Sequence, residues 1–157
     1  MGENGTVRVS AKVDYAVRAS IELAAGGPGP LKGERVAEAQ GIPLRFLENI
    51  LGELKHAGLV ASQRGQEGGY WLAKPAEEIT LAEIIRAVEG PLASVRGERP
   101  EVLAYEGEAE PLQRVWIALR ANIRDVLEAV TLADIVAGDL PDDVRRLTER
   151  PEVWDPH

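Results

Sequence analysis

The feature that most restricts the fold is a change of hydrophobic period at Leu59. Upstream of it apolar residues recur at helical spacing, whereas Leu59 to Gln63 and Tyr70 to Lys74 read as two short strands. Between the strands lies Arg64-Gly65-Gln66-Glu67-Gly68-Gly69, whose three glycines supply the backbone angles of a hairpin tip. Three helices are expected before it. Ser10 is placed to cap one over 11–25, with Val13, Ala16, Val17, Ile21 and Ala24 on one face, and Gly26-Gly27-Pro28-Gly29-Pro30 ends it. A shorter one spans 32–40 with Val36 and Ala37 apolar, stopped by Gly41. Pro43 suits the first turn of the third, in which Leu47, Ile50, Leu51 and Leu54 form a core-facing stripe before Gly58. Helix, helix, turn, helix and hairpin is the order of a winged helix-turn-helix. It is expected over 8–75 in a mainly α chain.

A second region is expected over 76–137. Thr80 and Glu83 have capping-box spacing, and Ile79 with Ile84 is placed as a hydrophobic staple for a helix ending at Gly90-Pro91. Residues 91–110 are acidic and without period, which predicts a loop. Pro111 then opens a helix expected over 111–130. There Leu112, Trp116, Leu119, Ile123, Val126 and Val130 are spaced 4, 3, 4, 3 and 4, a coiled-coil seam. Six apolar positions on one long helix need a partner, and a symmetric homodimer supplies it. Thr131 and Asp134 suggest another cap. Residues 138–157 are expected to form a short helix near 142–149 and a flexible tail.

Composition narrows the chemistry. The 157 residues include no cysteine and two histidines, His56 and His157, which excludes disulfides, thiolate metal sites and multi-histidine centres. No metal or cofactor is expected. The acidic loop, with Glu98, Glu101, Glu106, Glu108 and Glu110, lacks any defined cation-binding spacing and reads as solvated. No nucleophile elbow, phosphate-binding glycine loop or His–carboxylate arrangement points to an enzyme. No apolar run is long enough to span a membrane, and the first residues lack a secretory pattern, so a cytoplasmic location is expected. The net charge of −8 opposes nucleic acid at first sight. Its distribution removes the objection, because residues 1–75 carry +1 and residues 76–157 carry −9.

The third helix is the expected DNA reader. With its leucines inward, Arg45, Glu48 and Asn49 point outward near its start. There Arg can pair bidentately with guanine, and Glu can accept from cytosine. Arg64 at the hairpin shoulder is placed to follow the backbone or enter a narrow minor groove. Lys12, Arg18, Lys55 and Lys74 are candidates for phosphate contacts.

These residues together resemble the Rrf2 family of bacterial transcription regulators over about 8–137. The resemblance rests on Tyr15-Ala16-Val17-Arg18, Ile42 to Leu47, Gly58-Leu59-Val60, Arg64-Gly65 and Gly68-Gly69-Tyr70. It continues through Ile79-Thr80-Leu81, Ala87-Val88-Glu89-Gly90-Pro91, Pro111-Leu112, Val115-Trp116 and Thr131-Leu132-Ala133-Asp134. It implies a DNA-binding repressor, sometimes an activator, whose long helices cross in a dimer. It also implies base or phosphate contacts at Pro43, Arg45, Phe46 and Glu48, with Arg64 in the minor groove. Cluster-binding members carry three cysteines before the dimer helix, and this chain has none there. The expectation is therefore a homodimeric, sequence-specific regulator of palindromic double-stranded DNA without an iron–sulfur cluster, answering to a small-molecule or protein effector. The alternative is a protein-interaction adaptor built on the same module.

Overall fold

Seven helices and one hairpin follow each other in a computed structural model that describes residues 9–156; Arg8 and His157, which bound the expected segments, lie outside the described residues. Helix α1, Ala11–Ala25, is capped by Ser10, whose Oγ accepts from Val13 N at 3.1 Å. Its buried face is Val13, Ala16, Ala19, Ser20 and Leu23, while Val17, Ile21 and Ala24 are only partly buried. The stripe is turned from the expected one because α1 is packed on several sides, by α2, α3, α4 and α6. Small residues permit that close approach, and the buried Ser20 hydroxyl donates to Ala16 O at 2.8 Å.

Helix α2, Gly33–Gln40, ends at Gly41, which takes the left-handed conformation at φ 63°. Helix α3, Leu44–His56, begins immediately after Pro43 and buries Leu47, Ile50, Leu51 and Leu54. All four are at most 2% exposed, and burying each contributes about 1.5–3 kcal/mol. Helix α3 is thus held from one side, and its opposite face is left to solvent.

Strands β1, Val60–Gln63, and β2, Gly69–Leu72, pair antiparallel with Val60 opposite Leu72 and Gln63 opposite Gly69. Both are shorter than expected: Leu59, Ala73 and Lys74 fall outside the ladder. Helix α4, Leu81–Glu89, carries the expected capping box, with Ile79 and Ile84 fully buried. Helix α6, Leu132–Ala137, carries a second one, from Thr131 and Asp134. The two helix starts lie side by side: Leu81 N donates to Val130 O and Leu132 N to Ile79 O, each at 3.0 Å. Ile79, Ile84, Val88 and Leu132 join the same core cluster as Val13, Leu47 and Leu54. The expected boundary at residue 75 therefore does not separate two cores.

Residues 91–110 are irregular, with 3-10 turns at Pro100–Val102 and Gly107–Ala109. Helix α5, Leu112–Leu127, is shorter than the expected 111–130. Val130 lies beyond its end and is 3% exposed, enclosed within the chain beside the start of α4. It is therefore removed from the seam; a buried residue cannot also face a partner. Helix α7, Asp142–Thr148, is followed by a 3-10 turn at Pro151–Trp154, and the Trp154 indole donates back to Thr148 O at 2.6 Å. Among the described residues no helix is long and apolar enough to cross a membrane.

Candidate nucleic-acid interface

The start of α3 presents Pro43, Leu44, Arg45, Phe46, Glu48 and Asn49 to solvent. Phe46 is 61% exposed, unusual for the chain's single phenylalanine and suited to apolar contact with a thymine methyl. Arg45 forms no ion pair with any described residue, so its guanidinium is free to bind.

Backbone pairing ties the wing to the segment that precedes α2. Leu31 and Tyr70 exchange two hydrogen bonds, Leu31 N to Tyr70 O at 2.9 Å and Tyr70 N to Leu31 O at 2.8 Å. That contact adds a third short strand-like segment to the hairpin and needs a glycine at 69. A Cβ on Gly69 would stand 2.5 Å from Leu31 O, and one on Gly68 would stand 2.0 Å from Gln63 O. Gly33, at the start of α2, faces both Tyr70 of the wing and Leu44 of the reader. The three elements therefore meet at one point.

Arg64 is exposed at the wing shoulder and, like Arg45, has no ion pair with a described residue. The next residue is held in place: Lys32 Nζ donates to Gly65 O at 2.8 Å. Lys32 and Arg35, both exposed on α2, were not singled out by sequence reasoning. Their only signal was a basic pair three residues apart on a helix otherwise defined by its core residues.

The expected phosphate contacts divide. Lys55 is exposed, whereas Lys12 pairs with Glu53 of α3 at 3.0 Å and Lys74 with Glu83 at 2.9 Å. Arg18 stands 3.4 Å from Asp14 and 5.2 Å from the centre of the Tyr15 ring, and its buried Nε has no hydrogen-bond acceptor among the described residues. These partly exposed pairs are weak, so phosphate can compete for the cations; the structure leaves them turned toward their own carboxylates.

The residues present do not form an iron site. The chain has no cysteine, and among the described residues no three His, Asp or Glu side chains converge on a possible ion.

The family profile described as "Rrf2: Iron-dependent Transcriptional regulator" matches residues 9–138. The chain is similar to Rv1287 of Mycobacterium tuberculosis, 49% identical over 144 residues that cover 91% of this chain and 89% of that protein. It is also similar to the HTH-type transcriptional regulator CymR of Bacillus subtilis, 37% identical over 83% of this chain and 91% of CymR. The solved structure of that CymR superposes with a TM-score of 0.71 at 36% identity, over 83% of this chain and 97% of CymR. The IscR structure from T. potens gives 0.69 at 34%, over 84% of this chain and 88% of IscR. A winged helix whose reader and wing are locked together, matched over most of its length to named regulators, belongs to the Rrf2 family of DNA-binding transcriptional regulators.

Proposed function

We propose that the chain acts in the cytoplasm as a homodimeric repressor, holding two readers one helical turn of DNA apart on a palindromic operator. It is a regulator rather than a catalyst, and it works without an iron–sulfur cluster. The observation that carries this reading is unpaired positive charge on two adjoining elements. Arg45 of the reader and Arg64 of the wing are both exposed and unpaired within the described residues, on elements that meet at Gly33. Pro43, Phe46, Glu48 and Asn49 complete the base-facing row, and Lys12 and Arg18 act as phosphate contacts once their surface carboxylates are displaced.

The dimer is supported by α5. This 16-residue helix buries none of its residues, yet Leu112, Trp116, Leu119, Ile123 and Val126 are each half-buried along one seam. A second copy of the helix would complete that burial.

Titration of the purified protein onto its own promoter at a series of salt concentrations tests the reading. Specific binding with a steep loss of affinity as salt rises supports it, because neutralised phosphates release counterions. Salt-insensitive binding, or none, overturns it in favour of a protein-interaction adaptor.

A further inference from the structure

The second half of the chain is strongly acidic, yet four of its nine basic residues converge. Arg86 of α4, Arg99 of the irregular segment, and Arg120 and Arg124 of α5 line one cleft of about 360 Å³. The lining includes Leu92 and Ala93, whose backbone N–H groups have no acceptor among the described residues. Two of the guanidinia are engaged: Arg86 with Glu128 at 2.6 Å, and Arg120 with Glu101 at 2.5 Å. Arg99 and Arg124 have no ion pair with any described residue. Four cations against two carboxylates leave an excess of positive charge in a concave site of metabolite size. Such an arrangement raises electrostatic energy unless an anion compensates it.

We propose that this cleft binds a small polyanion, a di- or tricarboxylate or a phosphate ester, and that binding alters the protein's affinity for DNA. The second clause rests on the regulator reading above; the first does not. Bidentate guanidinium recognition of carboxylate or phosphate is the chemistry that four arginines offer. Glu101 marks the position of one acidic group, because the chain's own carboxylate already lies on Arg120.

Displacing Glu101 also has a route to the dimer helix. Its 3-10 turn, Pro100–Val102, is fastened to α5 by Gln113 Nε2, which donates to Pro100 O at 3.2 Å and Glu101 O at 3.1 Å. Further along the same segment, Trp116 Nε1 donates to Tyr105 Oη at 3.1 Å. An anion that takes the place of Glu101 therefore bears on the helix whose seam would set the distance between two readers.

Calorimetric titration of the full chain with citrate and with pyrophosphate, against glucose as a neutral control, tests the site. The expected result is saturable binding of at least one anion, with the two arms separating carboxylate from phosphate chemistry. Arg99→Ala and Arg124→Ala should each weaken it about tenfold, and Arg114→Ala, exposed outside the cleft, should leave it unchanged. Glu101→Gln should strengthen binding about threefold or more by removing the internal competitor, whereas a merely structural Glu101 would give no gain. No saturable binding, or equal binding by the arginine variants, overturns the site. A gel shift with and without the bound anion reads the regulatory clause separately. Binding without any change in DNA affinity overturns that clause alone, and failure to bind DNA at all counts against the regulator reading while calorimetry still decides the site.

Discussion

The ammonium of Lys32 and the carbonyl of Gly65 lie 2.8 Å apart, joining the start of α2 to the tip of the wing. Arg64 precedes that carbonyl, so the bond steadies the backbone that carries the wing's guanidinium. An exposed hydrogen bond of this kind contributes about 1 kcal/mol to stability or less, and Lys32→Met should unfold near the parent temperature. DNA affinity should nevertheless fall, and Arg64→Ala should cost less in the Lys32→Met background than alone. A double-mutant cycle by gel shift checks this; strict additivity would show that Lys32 does not position Arg64.

Arg45→Ala is expected to weaken specific binding by about 1–3 kcal/mol and to relax preference at one position of each half-site. Arg64→Ala should lose most affinity on A·T-rich flanks, where a narrow minor groove concentrates negative potential. Competition gel shifts against single-base operator variants measure both. Unchanged discrimination by Arg45→Ala would remove it from base reading, and equal loss by Arg64→Ala on all flanks would make it a phosphate contact.

Gly69→Ala tests the backbone contact that ties the wing to the segment before α2. The new methyl would stand 2.5 Å from Leu31 O, with backbone rather than a pliable side chain in its way. A destabilisation of about 2–3 kcal/mol is expected, comparable to other overpacked sites, read as a lower midpoint in urea denaturation. An alanine variant of parental stability would show that the Leu31–Tyr70 pairing can open without penalty.

What the sequence made legible was local. The reader helix was visible because Leu47, Ile50, Leu51 and Leu54 obey one period, and the Thr80–Glu83 capping box because its spacing is short-range. The Leu31–Tyr70 pairing was not, since it joins segments almost forty residues apart and Leu31 has no strand pattern around it. Val130 misled for a related reason. It continues the 4-3 spacing, yet the helix ends at Leu127 and Val130 is buried beyond it, its O accepting from Leu81 N, a tertiary contact that the periodicity does not reveal. The outward placement of Arg45 follows from the inward leucine stripe, whereas the engagement of Lys12 by Glu53 depends on how α1 crosses α3.

Acid should weaken the start of α4. Burial pushes the Glu83 carboxyl up, but hydrogen bonds from Lys74 Nζ and the Thr80 backbone N–H, with the Lys74 and Arg86 charges, hold it below its ordinary value of 4.5. Ionised Glu83 therefore favours the fold at pH above the unfolded-state value, and that contribution is lost as pH falls through the lower folded-state value. Glu83→Gln should be less stable than the parent at neutral pH, by under about 1 kcal/mol for so exposed a pair. The gap should close below pH 4.5. Urea denaturation across that range measures it; a gap independent of pH would assign the effect to helix capping alone.

The dimer seam can be broken without touching the core, because no residue of α5 is buried within the chain. Ile123 sits in the C-terminal half of the remaining seam, half-buried, with Leu119 and Val126 on either side. In a two-fold interface Ile123→Asp places two carboxylates close together, each desolvated by the other copy, so association loses several kcal/mol. Within one protomer the same side chain stays partly in water, and far-UV circular dichroism should be preserved. Sedimentation should show a folded monomer, and affinity for a full palindrome should drop toward that of a single half-site. A folded, still dimeric Ile123→Asp protein would move the interface off α5, and the spacing of the two readers would then have to be set by another surface.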